Sequence, residues 1–260
     1  MKRRALEAGL PVLQPEKLRQ LDLVVELSAL GADVFVVVAY GKILPKAILD
    51  LPARGCVNVH GSILPRHRGA APIAHAILSG DDSTGVTLMK MDEGMDTGPI
   101  LAVRRTPIGA QESAGELSER LSRLGAEILR DELPRAVRGE IEPTPQDDRL
   151  ATRAPPLAKG DGAIDWSRSA NDVHRLVRAM SPWPGAFTTL DGRLLKVHRA
   201  VVGLGSGPPG VVLAAGPEGI QVSTGAGTLL VTEAQLEGRK RLPAGDLARG
   251  LRIVAGAKLV

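Results

Sequence analysis

Apolar runs separated by short polar segments predict alternating strands and helices over residues 33–60. Asp33–Tyr40 is an almost unbroken run of β-branched and other apolar residues, as expected for a strand buried on both faces. The pattern predicts a short helix over Pro45–Leu51 and a second buried strand over Gly55–His60. Strand, helix and strand in this order form a βαβ unit with parallel strands. The pattern therefore favours an α/β fold built on a parallel sheet.

Longer elements continue the alternation as far as residue 137. Pro72–Leu78 predicts a helix that begins at a proline. Gly85–Met91 alternates between apolar and polar positions like a half-buried strand, and Ile100–Arg104 is expected to pair with it. Ser113–Val137 is predicted to be a long amphipathic helix. Its apolar stripe consists of Leu117, Leu121, Leu124, Ile128 and Leu129.

Prolines and charged residues interrupt the pattern between Glu140 and Lys159, which predicts a linker. Beyond it, a helix over Ser169–Met180 precedes short strands separated by glycine-containing turns, and Asp191-Gly192 is a strong hairpin signal. Regularly spaced short strands predict a small β-barrel. We therefore expect one domain over residues 1–139, a linker over 140–159 and a second domain over 160–260. The predicted strands are Phe187–Leu190, Arg193–Arg199, Gly210–Ala214, Ile220–Thr224 and Leu229–Ala234.

The charge is unevenly distributed between these two parts. Residues 1–150 carry 19 Lys and Arg against 21 Asp and Glu, a net charge of −2; the remaining 110 residues carry 14 against 8, a net charge of +6. An acidic first part followed by a basic second part suggests a catalytic domain with a polyanion-binding domain. A small basic domain without such a partner is the alternative.

Composition narrows the class of protein and its compartment. The longest apolar run, Val34–Tyr40, is too short to span a bilayer, and no apolar run follows the charged amino terminus, so we expect neither a membrane partner nor a signal peptide. The single cysteine, Cys56, cannot form an intramolecular disulfide and fits a reducing cytoplasm. We interpret it as a small buried apolar residue rather than a nucleophile.

Polar residues with catalytic potential gather around the second predicted strand. Asn58 and His60 are two residues apart, so their side chains share one face of that strand. Two glycines and a proline surround Asp96, which predicts a sharply turned loop that brings a carboxylate to the end of the sheet. Asn can stabilise an oxyanion, His can transfer a proton, and Asp can orient the imidazole. No Ser or Cys nucleophile adjoins His60, and the ligands are too few for a metal site, which favours direct acyl transfer.

Two ordinary structural interpretations remain open at this point. An Asn-x-His sequence at a strand end is more often a hydrogen-bonded polar end than a catalytic pair. Asp96 alone would be a turn residue in most proteins. From the residues themselves, the sequence indicates an α/β enzyme that could catalyse acyl transfer.

Two long motifs resemble the folate-dependent formyltransferases, in particular the branch that acts on methionyl-tRNA. The first is Asn58-Val-His-Gly-Ser-Ile-Leu-Pro65 with Arg66-His-Arg-Gly-Ala-Ala-Pro72 after it, and the second is Gly85-Val-Thr-Leu-Met-Lys-Met-Asp-Glu-Gly-Met-Asp-Thr-Gly98. Ile164-Asp-Trp166 and Ser181-Pro-Trp-Pro184 resemble the opening of the C-terminal domain of this family. The resemblance covers essentially the whole chain.

The resemblance implies a function, a fold and a set of site residues. The family transfers a formyl group from 10-formyltetrahydrofolate, a co-substrate, to the amino group of initiator methionyl-tRNA, without a metal. Its catalytic residues fall on Asn58, His60 and Asp96, where Asn58 would hold the oxyanion and His60 with Asp96 would handle the proton of the amine. Its folate-binding segment falls on Ser62, Ile63, Leu64 and Pro65. The implied fold is a Rossmann-like domain followed by an OB-like β-barrel that binds tRNA. We also expect a cytoplasmic protein that acts as a monomer.

The chain also departs from the family pattern. The family begins with a strand, a helix, a second strand and a basic loop that reaches tRNA, whereas Met1–Leu6 here resembles the helix that enters the third strand. We therefore expect a formyltransferase domain without that N-terminal strand-helix-strand segment. His67 stands where the family often has an aromatic residue. The alternatives are a formyltransferase for a small amine, such as glycinamide ribonucleotide or an amino sugar, and a catalytically impaired tRNA-binding homologue.

Overall fold

The computed structural model describes residues 2–18 and 21–260. The helices are α1 (Lys2–Glu7), α2 (Leu21–Ala29), α3 (Lys46–Leu49), α4 (Pro72–Ser79), α5 (Ala114–Val137), α6 (Ala170–Ala179) and α7 (Ala244–Leu251). The strands are β1 (Phe35–Val38), β2 (Cys56–His60), β3 (Ser83–Lys90), β4 (Ile100–Pro107), β5 (Ala186–Leu190), β6 (Arg193–Gly203), β7 (Val212–Gly216), β8 (Gly219–Ser223), β9 (Thr228–Leu236) and β10 (Leu242–Pro243).

The first sheet has the strand order β1-β2-β3-β4. The predicted βαβ unit is confirmed, because β1 and β2 pair in parallel from Phe35 opposite Cys56 to Val38 opposite Val59. The sheet as a whole is mixed, since β2 pairs antiparallel with β3, and β3 with β4. The helix expected at the start of the chain is α1, but Met1 lies outside the described residues and α2 separates α1 from β1.

Helix α5 covers β3 and β4 with its apolar stripe. Ser113 caps the helix: its hydroxyl accepts from the backbone N–H of Glu116, and the Glu116 carboxylate accepts from the N–H of Ser113. Leu117 and Ile128 are fully buried on the stripe. The predicted amphipathic helix is thereby confirmed, and it closes one face of the sheet that carries the site.

The second sheet has the order β5-β6-β9-β8-β7, with β10 paired to β9. Asp191 and Gly192 both have positive φ, 50° and 73°, so the predicted hairpin turns through two left-handed residues. The carboxy-terminal segment bridges the two edges: Val260 exchanges backbone hydrogen bonds with Thr189, and Leu259 donates to Gly210. The strands therefore form the small barrel that the sequence predicts.

The apolar cores of the two parts are continuous. Buried side chains of the first sheet, such as Leu88, belong to the same cluster as those of the barrel, such as Leu229, and the two parts meet where α4 packs against α6. Within residues 2–18 and 21–260, no helix combines the length and the apolar character needed to cross a bilayer.

Candidate active site

The first two candidate residues, Asn58 and His60, lie on strand β2, which has a paired strand on each side. Asn58 lies opposite Val37 on one side and Met89 on the other, and His60 lies opposite Thr87. Their two-residue spacing puts both side chains on one face. Asn58 is half-buried, and the side chain of His60 is 6% exposed. The backbone ladder on both sides of β2 therefore fixes where these two groups stand.

Asp96 reaches the same place by a less direct route than the sequence suggested. Because β3 runs antiparallel to β2, the loop over residues 91–99 begins beside Cys56, at the opposite end of β2 from His60. The loop then folds back, with Asp96 in the left-handed region at φ 55°. Gly98 makes the tight return possible, since a Cβ atom there would lie 1.8 Å from the carbonyl oxygen of Lys90.

The three candidate side chains meet at the Asp96 carboxylate. Asn58 Nδ2 donates to Asp96 Oδ1 at 3.3 Å. His60 Nδ1 lies 3.5 Å from Asp96 Oδ2, which also accepts the backbone N–H of Gly69 at 2.8 Å. The side chain of Asp96 is 15% exposed, so the cluster stands at the border of the core and the solvent. The structure thus brings together the three residues that the sequence singled out.

A backbone carbonyl sets the tautomer of His60. Its Nε2 lies 2.9 Å from the carbonyl oxygen of His67, which can only accept a hydrogen bond, so Nε2 carries the proton. The lone pair of the neutral ring is then on Nδ1, on the side of Asp96. His67 itself is buried at φ 59°, and its Nε2 contacts Asp81 Oδ2 at 2.7 Å. The residue that departs from the family pattern is therefore a fixed part of the wall behind His60.

The side chain of Thr87 on β3 hydrogen-bonds the backbone of the predicted folate-binding segment. The Thr87 hydroxyl donates to the carbonyl of Ser62 at 2.7 Å and accepts the N–H of Leu64 at 3.1 Å. The side chains of Ser62 and Leu64 point inward, with 0% and 4% of their residue surfaces exposed. Ile63 and Pro65 are half-buried and provide the accessible side-chain surface of this segment.

The proline-rich segment after α5 is hydrogen-bonded along the site. Thr144 exchanges two backbone hydrogen bonds with Ile100, each of 2.8 Å, and Ala154 accepts from Ala71 and donates to Arg68. Between these anchors, Gln146 donates from Nε2 to the carbonyl oxygens of Asp96 and Gly98. We call residues 144–154 the strap. The strap lies within the predicted linker over residues 140–159, whose boundaries with the two domains stay a prediction.

Sequence reasoning missed Gln146, Thr87 and Gly69 as parts of this site. Each acts through a contact with a distant segment, and the composition around Gln146 indicated only a linker. Gly69 and Thr87 stand within the two motifs that resemble the formyltransferases, but a motif does not show which contact each residue makes, and Gln146 lies outside both motifs. The arrangement in space reveals them.

The remaining candidate groups offer no covalent nucleophile. Cys56 is 2% exposed, and burial raises the pKa of its thiol to about 11, so it is a neutral buried group as predicted. In the part of the chain that the structure describes, no group of three or more His, Cys, Asp or Glu residues is placed to hold a metal ion. The cluster combines an amide donor, an imidazole lone pair and a carboxylate, which together can stabilise an oxyanion and accept a proton.

Comparisons with known proteins agree with this architecture over both parts of the chain. The family model described as formyl transferase matches residues 2–133, and the model described as formyl transferase, C-terminal domain, matches residues 156–252. Among solved structures, HypX from Aquifex aeolicus in complex with tetrahydrofolic acid superposes with a TM-score of 0.69 at 24% identity, over 90% of this chain and 42% of that chain. WlaRD, a sugar 3N-formyl transferase, superposes with a TM-score of 0.68 at 17% identity, over 92% and 82%. At these identities the two structures support the fold.

Relatives of high identity extend over nearly the whole chain. The methionyl-tRNA formyltransferase of Sorangium cellulosum is 53% identical over 100% of this chain and 85% of its own length. The methionyl-tRNA formyltransferase of Myxococcus xanthus is 50% identical over 99% of this chain and 83% of its own length. The chain therefore belongs to the formyl transferase family, in which these two relatives are methionyl-tRNA formyltransferases.

Proposed function

We propose that this chain transfers a formyl group from 10-formyltetrahydrofolate to the amino group of initiator methionyl-tRNA. The observation that carries the proposal is the convergence of Asn58 and His60 on Asp96 at the end of β2. Relatives at 53% and 50% identity named methionyl-tRNA formyltransferase support the same activity. We place the reaction in the cytoplasm and expect the protein to act as a monomer.

The cluster has the groups that an amine attack on a formyl carbon requires. The Asp96 contact uses one N–H of Asn58, and the other N–H can stabilise negative charge on the formyl oxygen. As the new C–N bond forms, His60 Nδ1 can accept the proton that the attacking amine sheds. The Asp96 carboxylate, 3.5 Å from Nδ1, then faces the charged imidazolium. His60 can pass this proton to the departing nitrogen of the donor.

The segment from Ser62 to Pro65 offers only a small accessible side-chain surface to a flat, partly apolar ligand. Since the side chains of Ser62 and Leu64 are buried, direct side-chain contact would come from Ile63 and Pro65. Thr87 keeps the backbone of this segment rigid. The folate would supply the activated formyl group, and this wall would hold it beside His60.

The barrel offers a surface suited to the phosphates of a tRNA. Residues 151–260 carry a net charge of +6, from 14 Lys and Arg against 8 Asp and Glu. Several of these basic side chains are exposed, which favours contact with a polyanion. They include Arg193, Arg239, Lys240, Arg249 and Lys258.

A transfer assay with a panel of acceptors tests the proposal directly. The chain is incubated with 10-formyltetrahydrofolate labelled in the formyl group and with initiator methionyl-tRNA, elongator methionyl-tRNA, glycinamide ribonucleotide or a dTDP-amino sugar. We expect label on initiator methionyl-tRNA. Transfer to a small amine instead would assign a different substrate, and tRNA binding without transfer would identify an impaired homologue.

Replacement of His60 tests its proposed role in proton transfer. Because His60→Ala removes the proton acceptor, we expect kcat to fall on the order of 100-fold or more, with the affinity for tRNA nearly unchanged. His75→Ala is the matched control, since this histidine lies on α4 and contacts the carbonyl of Pro155 instead of Asp96. Near-normal turnover in His60→Ala would remove His60 from the mechanism.

A further inference from the structure

The side-chain amide of Gln146 is fully hydrogen-bonded. Its Nε2 donates to the carbonyl oxygen of Asp96 at 2.8 Å and to that of Gly98 at 2.7 Å. Its Oε1 accepts from Arg68 Nε at 3.0 Å and from Arg68 Nη2 at 2.8 Å. Two donors and two acceptor sites are all that a carboxamide has, so no capacity of this side chain is left for solvent.

These four bonds join three segments that are distant in the sequence. Arg68 belongs to the loop after β2, Asp96 and Gly98 belong to the loop after β3, and Gln146 belongs to the strap. The strap does not depend on Gln146 for its own position, because Thr144 pairs with Ile100, and Arg68 exchanges backbone hydrogen bonds with residues 152 and 154. Gln146 is therefore presented to the site by a segment anchored on both sides of it.

The loop over residues 91–99, which Gln146 contacts, has a conformation that requires stabilisation by other segments. Asp96 stands at φ 55°, a left-handed conformation that residues other than glycine adopt infrequently, although Asp adopts it more readily than most. Its carboxylate must still meet Gly69, Asn58 and His60. The Gln146 bonds fix the carbonyl oxygens of Asp96 and Gly98, and they thereby hold the backbone that carries the Asp96 carboxylate. Loop relaxation would leave His60 and Asn58 in place on β2 but would move their common partner.

We infer that Gln146 is a positioning residue, which orients the Asp96 loop for catalysis without touching the substrate. The inference rests on the proposed function, because the value of this orientation lies in the proton transfer at His60. Arg68 acts with it, since the guanidinium fixes the amide in the one orientation that turns Nε2 towards the loop. Through Gln146, the strap thereby contributes one positioning side chain to the active site.

Gln146→Glu is the sharpest substitution. The carboxylate keeps the length of the side chain and still accepts from Arg68, but it places an oxygen where Nε2 donates to the carbonyls of Asp96 and Gly98. Repulsion between oxygen atoms should release the loop. We expect kcat to fall on the order of 10-fold to 100-fold with KM for methionyl-tRNA within about twofold of the wild type, because a misplacement of about 1 Å costs this much.

Asp148→Asn is the matched control. Asp148 accepts from the same Arg68 Nη2 at 2.8 Å, yet its side chain is 81% exposed and does not contact the Asp96 loop. This variant changes the charge beside Arg68 without removing a donor from the loop. We expect its kcat and KM to remain within about twofold of the wild type, as for other exposed ion pairs.

Amide hydrogen exchange of the substrate-free protein provides a second readout. Peptides that cover residues 66–72 and 91–100 should exchange faster in Gln146→Glu than in the wild type, because Gly69 donates to Asp96 and loses protection when the loop moves. This comparison holds whether or not the wild type transfers a formyl group, which the acceptor assay decides separately. Unchanged exchange, or a kcat within twofold of the wild type, would overturn the inference. If circular dichroism shows Gln146→Glu unfolded, Gln146→Met, which matches the shape but makes no hydrogen bond, decides by the same two measurements.

Discussion

The amino-terminal region over residues 2–50 and the carboxy-terminal barrel contain similar apolar residues but bury them to very different extents. Among residues 2–18 and 22–50, Leu23 and Ile48 are the apolar side chains with less than a tenth of their surface exposed. In the barrel, Leu195, Leu229 and Val231 are each at most 1% exposed. Leucine and valine stabilise a fold only where a second layer covers them, and the barrel has that layer on the inside of its closed wall.

Strand β1 shows the same contrast within the first sheet. It pairs with β2 on one side, and no other described strand pairs with it on the other side. Val36 is 40% exposed and Val38 is 36% exposed, in contrast to the fully buried strand that the sequence predicts. On its other side β2 pairs with β3, where Met89 and Thr87 lie opposite Asn58 and His60. Met89 and Thr87 are at most 1% exposed, so β3 is the better covered of the two strands that flank the site residues.

Two substitutions, one in the barrel core and one on β1, test this difference with the largest expected change in stability. Leu229→Ala opens a cavity in the closed barrel, where the side chain is 0% exposed, and should lower the free energy of unfolding by about 2–5 kcal/mol. Val36→Ala on the exposed β1 should lower it by less than about 1 kcal/mol. Chemical denaturation of both variants gives the two values. Equal losses would show that β1 is as well supported as the barrel.

The second prediction concerns pH and the buried part of the contact between the two domains. His174 of α6 is 7% exposed, and its Nε2 lies 3.1 Å from Gln111 Oε1, just before α5. Burial lowers the pKa of His174 to about 4, and the charges of Arg178 and Arg175 act in the same direction. The unfolded chain binds this proton near its ordinary pKa of 6.5, so stability rises with pH between about 4 and 6.5.

Acidification from pH 7 to about pH 4 should therefore remove up to about 3 kcal/mol through this group. Denaturation curves at several pH values, for the wild type and for His174→Gln, isolate the contribution, because the other titrating groups are common to both proteins. The stability of the variant should depend less steeply on pH across this window. Parallel pH profiles would mean that His174 binds its proton in the folded protein as readily as in the unfolded chain.

Features that depend on a local pattern could be predicted from the sequence, whereas features that depend on contacts between distant segments could not. The hydrophobic run that ends in Asn58 and His60, and the Asp191-Gly192 turn, depend on neighbours within a few residues, and both predictions are confirmed. The antiparallel direction of β3 depends on pairing across the sheet, so the route of the Asp96 loop could not be predicted. Helix α7 was missed because glycines at 245 and 250 weaken its pattern, although Gly245 permits close approach to the carbonyl of Pro217.

The folate segment and the strap show the same limit within the site. The motif placed four residues from Ser62 to Pro65 beside a ligand, but alternation of side chains along an extended segment buries two of them, and this follows only from the packing against Thr87. The strap reads as a linker because prolines and charges have no helical or strand period. A side chain that hydrogen-bonds backbone carbonyls does not change the pattern of apolar and polar residues, so this pattern could not identify Gln146.

The smallest predicted effect concerns the exposed part of the contact between the two domains. Arg199 Nη2 donates to Glu116 Oε1 at 2.6 Å, yet the side chains are 51% and 48% exposed. The pKa of Glu116 falls to about 2 mainly because the carboxylate accepts from the backbone and hydroxyl of Ser113, and Arg199 contributes less. Most of what holds this carboxylate therefore belongs to the cap of α5 and not to the barrel.

A double-mutant cycle of Arg199→Gln and Glu116→Gln should give a coupling energy of at most about 1 kcal/mol, because the pair is exposed. Glutamine at position 116 can still accept from Ser113, so the cap is kept while the charge is removed. The coupling should vanish in about 0.5 M salt, where screening acts over a few ångströms. A coupling above about 2 kcal/mol, or one that persists in salt, would mean that the ion pair joins the domains. The expected small value instead assigns that role to the buried contacts of α6, which packs against α4 and reaches Gln111 through His174, where salt does not penetrate.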